Sequence, residues 1–174
     1  MKFTDSFEYR RLKATWRELL KVANVTFAED KISIKSGTDV FGNAAEVVTP
    51  EFYIPNCQGR CKNIFLTFDI KAAELLYKLN MPAMALPTTF PVSVTAKELF
   101  LEMGNEIGNE SDGFFNCFFI DGDWFGCAPL ILTAPDGKGI LSLCGDDSSY
   151  YECDEQATER AYAHAQAFYT RYGE

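Results

Sequence analysis

Bases are scarce in the second half of this 174-residue chain. Between Glu98 and Glu159 there are fourteen carboxylates and one lysine, Lys138. Histidine occurs once, at position 164, and no apolar run is long enough to cross a bilayer. Each shortage excludes something. A carboxylate-rich surface is repelled by nucleic acid and by anionic lipid, so direct binding to either is not expected. The H-E-x-x-H metal motif, G-x-G-x-x-G, the Walker phosphate loop and G-x-S-x-G are all missing. The first residues alternate charged and apolar side chains and lack the continuous apolar stretch of a secretory signal. A cytosolic protein with six reduced cysteines is the expectation. Internal repeats and low-complexity tracts are missing as well.

What is present describes a folded domain. A 47% hydrophobic and 14% aromatic composition, with fifteen phenylalanines, argues against disorder despite a net charge of −9. The length suits one domain with a genuine core. The charge is polarised: residues 1–35 hold eight Lys/Arg against five Asp/Glu, whereas residues 97–174 hold four against fifteen, or +3 against −11. Polarity of this kind bears on partners and association, not on fold.

Hydrophobic spacing predicts an α+β domain: an antiparallel sheet with a C-terminal three-stranded meander, packed by about four helices. The first helix runs from Asp5 to Ala23, with Leu12, Trp16, Leu19 and Ala23 inward, and Asp5 and Glu8 as its capping pair. Arg10, Lys13, Arg17 and Lys21 form a basic stripe on its outer side. Residues 25–35 read as a short hairpin around Glu29-Asp30-Lys31. Extended segments follow near Ala45–Val48, Phe52–Ile54 and Asn63–Ile70, then a helix over Lys71–Leu79. Residues 81–94, with prolines at 82, 87 and 91, read as an internal connector within the single domain.

Thr95 and Glu98 form a capping box for a third helix whose apolar stripe is Ala96, Leu99, Met103 and Ile107, ending at Gly108. From Gly113 the pattern turns to strands, with turns at Asp121-Gly122-Asp123 and Pro135-Asp136-Gly137. A three-residue first turn places Phe119 with Phe125 on one face and Phe118 with Trp124 on the other. Both faces are apolar, so the sheet is either covered twice or exposes a binding patch. A last helix spans Asp154–Tyr172, with Ala157, Ala161, Ala165, Phe168 and Tyr172 inward.

Glu98, Glu102, Glu106 and Glu110 recur every four residues, about 6 Å apart along a helix. Like charges at this spacing destabilise a helix by about 0.2–0.5 kcal/mol per pair, so stability alone does not select them. With Asp112, Asp121 and Asp123 they make a candidate partner-binding surface whose spacing resembles that of phosphates on one nucleic-acid strand. The competing account is a solvated or internally paired face, with Glu98 explained by its cap and the ridge matched to the basic stripe of the first helix. Asp121, Asp123, Asp136, Asp146 and Asp147 occupy turns, where Asp bonds nearby backbone, and no loop has the ligand pattern of a calcium site.

Cys57-Gln-Gly-Arg-Cys61 has the wrong spacing for most zinc sites and needs Cys144 and Cys153 from afar to complete one, so buried thiols are the expectation. His164, centred among inward alanines, is expected in the core. Cys153, at a helix start that favours thiolate, lies about 16 Å from His164 along that helix and cannot react with it. No catalytic residue, metal or cofactor is predicted.

The expected function is that of a small acidic cytosolic binding protein. It docks an anionic surface onto a basic partner, such as a nucleic-acid-handling enzyme or a toxin that it inhibits, with meander aromatics adding affinity. The alternative is a small-molecule-binding protein or enzyme with a pocket between the meander and a helix. A homodimer held by the two oppositely charged helices is the third reading.

Overall fold

The computed structural model describes residues 3–29, 33–38, 42, 44–58, 62–103, 117–120, 123–126, 128–144 and 153–173, and at 36, 38, 44–46, 100, 117–120, 123–126 and 144 it describes the backbone only. A 3-10 turn (Phe3–Asp5) leads into α1 (Phe7–Val22); β1 (Ala28–Glu29), β2 (Ile34–Thr38), β3 (Ala44–Val48), β4 (Phe52–Ile54), β5 (Cys57–Gln58) and β6 (Ile64–Thr67) follow. Then come α2 (Ile70–Lys78), β7 (Ala83–Ala85), α3 (Ala96–Met103), β8 (Cys117–Ile120), β9 (Asp123–Gly126), β10 (Ala128–Thr133), β11 (Gly139–Cys144) and α4 (Glu155–Arg171). The expected α+β class is the observed one.

A six-stranded mixed sheet, in the order β1-β4-β6-β7-β8-β9, forms the centre. Its two middle strands, β6 and β7, run parallel because α2 crosses between them; the other pairs are antiparallel. Every residue of β6 and β7 is buried, so this part of the sheet is covered on both faces. Strand alternation sorts the side chains: Ile64, Leu66, Met84, Phe52 and Ile54 enter a large core with α1, α3, α4, β10 and β11, whereas Phe65, Ala83 and Ala85 enter a smaller one under α2.

Within the large core Trp16 is fully buried, edge-on to Phe90 and Tyr162 at 5.5 and 6.3 Å between ring centroids. Helix α4 also seals the free edge of β10. The Ile131 amide donates to Thr158 Oγ1 at 3.1 Å, the Ile131 carbonyl accepts from the Asp154 amide at 2.8 Å, and the Tyr162 hydroxyl donates to the Pro129 carbonyl at 2.7 Å. An edge whose backbone groups are taken by a helix cannot recruit a further strand.

Several boundaries agree with the periodicity to within two residues, and the exceptions have physical causes. The cap of α1 is Ser6, whose hydroxyl accepts from the Tyr9 amide at 3.0 Å, not the Asp5–Glu8 pair. Residues 25–35 do not fold into a hairpin. Phe27 packs edge-on against Phe52 in the large core, so β1 pairs with β4, whereas Ile34 packs on the small core and β2 pairs with β3. The segment read as a connector, 81–94, contains β7, an interior strand of the sheet. Its small residues give no strand signal, but Ala83 and Ala85 let α2 approach closely.

The last strands keep their antiparallel up-and-down order. The segment read as the middle one contributes to two sheets: β9 ends the six-stranded sheet, and β10 starts a three-stranded sheet ordered β10-β11-β5. In the register Ile120↔Asp123, Phe118 pairs with Phe125 and Phe119 with Trp124, one step from the register expected of a three-residue turn.

Candidate functional site

The acidic ridge begins on α3. The Glu98 amide donates to Thr95 Oγ1 at 3.2 Å, the N-cap half of the capping box read from the sequence, while the Glu98 carboxylate accepts from the Thr95 hydroxyl at 2.7 Å in place of the Thr95 backbone amide. Glu102 lies on the same helix face but turns its carboxylate onto backbone: its two oxygens accept from the amides of Val92 at 3.0 Å and Ser93 at 2.9 Å. Both ridge carboxylates on α3 therefore have local hydrogen-bonding work. Glu106, Glu110, Asp112 and Asp121 lie outside the described residues, and of Asp123 only the β9 backbone is described. The structure thus brings Glu98 and Glu102 together and leaves the rest of the predicted surface to its sequence position.

The basic stripe of α1 is engaged elsewhere. Arg17 makes a paired contact with Glu29, Nε to Oε1 and Nη2 to Oε2 at 2.6 Å each. Lys21 Nζ is 3.1 Å from Glu18 Oε1, Arg10 donates to the Asp5 carbonyl at 3.1 Å, and Lys13 lies 5.9 Å from the centre of the Tyr9 ring. Among the described residues no lysine or arginine is within ion-pair distance of Glu98 or Glu102. A further α1 cation, Arg11, covers the Tyr169 ring at 3.6 Å. The phenol of Tyr169, desolvated and donating to Glu8, is pushed up to about 12.

Other titratable groups were candidates for chemistry. His164 is exposed on α4, because the inner face leans towards Thr158 and Tyr162 and leaves position 164 outside. Cys153 does precede α4, but burial, with Glu155 and Asp154 adding to it, pushes its thiol up, opposite to the lowering expected of a helix start. Cys57 donates to the Leu141 carbonyl at 3.1 Å across the β5–β11 pair. It lines an open cleft of about 640 Å³ with Thr26, Asn56, Lys62, Asp136 and Lys138. Among the described residues no three His, Cys, Asp or Glu side chains are grouped to hold a metal ion, and no helix is long and apolar enough to cross a membrane.

Glu51 was not anticipated. It is 6% exposed, and its carboxylate accepts from the Tyr9 hydroxyl and the Phe68 amide at 3.1 Å each. Burial raises its pKa from the ordinary 4.5, against the opposing hydrogen bonds from Thr67, Phe68 and Tyr9. The folded protein then holds this proton to higher pH than the unfolded chain does. The stability the group contributes is complete below about 4.5 and is lost as pH rises through the folded value. Glu51→Gln keeps an acceptor for the Phe68 amide and cannot ionise. In urea unfolding from pH 4 to pH 7, wild type is expected to lose stability relative to this variant as pH rises; a constant difference would refute the assignment.

Comparison with known proteins found no matching family model, curated protein or solved structure. The function is read from the chain's own residues.

Proposed function

We propose that the chain is a non-catalytic cytosolic binding protein that docks its carboxylate-rich C-terminal half onto a basic surface of a partner protein. The partner class that fits this charge is an enzyme that handles nucleic acid, or a basic toxin, inhibited by occupation of its anion-binding surface. The observation that carries the reading is the engagement of the α1 stripe: its cations are held by Glu29, Glu18, the Asp5 carbonyl and the Tyr9 ring, away from α3. Residues 97–159 and the final helix together carry fourteen acids against Lys97, Lys138, Arg160 and Arg171, a surplus of ten. A surplus of one sign speeds encounter with an opposite surface and aids selectivity.

Glu98 and Glu102 are poor choices for a test, since both serve local bonds. Glu106→Gln, Glu110→Gln and Asp112→Asn combined are expected to leave thermal unfolding unchanged. Affinity for a basic partner, captured from the native cell and purified, is expected to fall about tenfold at low salt with a shallower salt dependence. Unaltered affinity and salt slope would sink the proposal, as would salt eluates containing no basic protein. The alternative, a small-molecule binder, has the cleft beside Cys57 in its favour, although that cleft opens at the β10–β11 turn rather than against a helix.

A further inference from the structure

We infer that the cleft between β5 and the β10–β11 turn is a binding site for a small monocarboxylate. The inference does not rest on the docking function proposed above, because none of the ridge carboxylates lines this cleft. The cleft opens where β11 changes neighbour. Along one edge Gly139 bridges Val25, Leu141 and Ser142 pair with β5, and Ile140 between them lines the gap. Its volume of about 640 Å³ falls within the span of small-molecule sites, roughly 300–1,000 Å³.

Both sides of the cleft are held by backbone. On the β5 side the Cys57 amide donates to the Lys62 carbonyl at 2.8 Å, and the Cys57 thiol donates to the Leu141 carbonyl at 3.1 Å. In the turn the Ala134 amide donates to the Lys138 carbonyl and the Gly137 amide to the Ala134 carbonyl, each at 2.9 Å. The Asn24 side-chain amide donates to the Gly137 carbonyl at 3.1 Å and ties the turn to the end of α1. A ligand thus enters a frame that is already ordered, so little entropy is lost in shaping it.

Charge sets the ligand class. Lys138, the one base among the fourteen carboxylates of residues 98–159, lines this cleft. Its ammonium lies 3.3 Å from one Asp136 oxygen, and its amide donates to the other at 3.1 Å. Those two charges offset each other. Lys62, from the β5 side, has no carboxylate within ion-pair distance among the described residues. Lys62 and Lys138 against Asp136 leave the cleft at a net +1. One surplus cation suits one carboxylate, whereas a phosphate dianion would meet Asp136 as a like charge. Asn56, Gln58 and Thr26 supply neutral hydrogen-bonding groups for the rest of the ligand, and Ile140 supplies apolar surface.

Titration of the full chain with benzoate and with its neutral counterpart benzamide, followed by amide NMR, tests the site. Benzoate is expected to shift the amides of Cys57, Gln58, Lys138 and Ile140. It is expected to bind about fivefold more tightly than benzamide, the upper end of what an exposed ion pair contributes. Lys62→Gln is expected to remove that preference with thermal unfolding unchanged, whereas Lys71→Gln, on α2 and outside the cleft, keeps it. The inference is overturned if benzoate causes no shifts, if the shifts centre elsewhere, or if the two probes bind equally. A preference that survives Lys62→Gln overturns it as well, and tighter binding of phenyl phosphate than of benzoate overturns the choice of carboxylate. None of these outcomes bears on the docking function, which the Glu106, Glu110 and Asp112 carboxamide variant tests separately.

Discussion

Gly139→Ala is expected to cost about 3 kcal/mol or more, placing it among the most damaging single substitutions in the chain. The reason is space. A Cβ at position 139 lies 1.8 Å from the Ala23 carbonyl oxygen, 2.8 Å from its carbon and 3.1 Å from Val25 Cγ2. The first two are backbone atoms of the chain leaving α1, and they have little freedom to withdraw. Ala23 caps α1 through its own amide, and the Gly139 amide donates to the neighbouring Asn24 carbonyl at 3.1 Å. Val25 bridges Gly139 directly, while β10 closes the other side of β11. Moving Ala23 therefore disturbs the end of α1 and the start of β11 together. Gly137, two residues earlier, provides the control. It has φ +78 with nothing within 4 Å of an added Cβ, so Gly137→Ala should cost only the left-handed strain of about 1–2 kcal/mol. Denaturant unfolding of the two variants separates the cases; equal costs would show that close approach is not what requires glycine at 139.

Trp16→Ala is expected to cost about 3–5 kcal/mol, lowering Tm by roughly 10 °C in a domain of this size. Trp16 is the largest side chain fully buried in the main core among the described residues, and its removal opens a cavity between Phe90 and Tyr162, the latter held to β10 by its hydroxyl on the Pro129 carbonyl. A second feature makes the comparison with phenylalanine informative. The indole Nε1 is the one buried side-chain polar atom among the described residues without a hydrogen-bond partner. A buried donor left unpaired costs about 1–3 kcal/mol, which Trp16→Phe removes while leaving a smaller void. The phenylalanine variant should therefore lose less than half of what alanine loses. Thermal and urea unfolding of both variants check this, and near-equal losses would mean that the indole nitrogen is well satisfied in the folded state.

The helices were legible because each carries its own instructions. Ser6, Asp69, Thr95 and Asp154 accept from the first turns that follow them, and Leu12, Trp16 and Leu19 of α1, Ala96, Leu99 and Met103 of α3, and Ala157, Ala161 and Ala165 of α4 bury as their spacing implies, whereas Phe168 and Tyr172 are only half-buried and Ile107 lies outside the described residues. The strands were less so. β7 is made of Ala83, Met84 and Ala85 between prolines, a composition with no β preference. It becomes a strand because β6 and α2 leave a slot of that width beside them. Phe27 and Ile34 looked like the two arms of one hairpin, and only the existence of two separate cores sends them to different sheets.

The candidate surface divides in the same way. The charge surplus of residues 98–159 is a property of composition, and no folding can remove it. Which carboxylates remain free for a partner is a tertiary matter. Glu102, which spacing alone assigns to an outward ridge, is drawn onto the amides of Val92 and Ser93, and Arg17, a member of the opposing stripe, onto Glu29. Glu51 carried no pattern at all. The sequence by itself determined the helices, the α+β class and the sign of the surface, because local spacing and net charge need no knowledge of neighbours. The tertiary structure alone decided strand partners, the close approach at Gly139 and the cleft at the β10–β11 turn, because each depends on backbone brought together from distant parts of the chain.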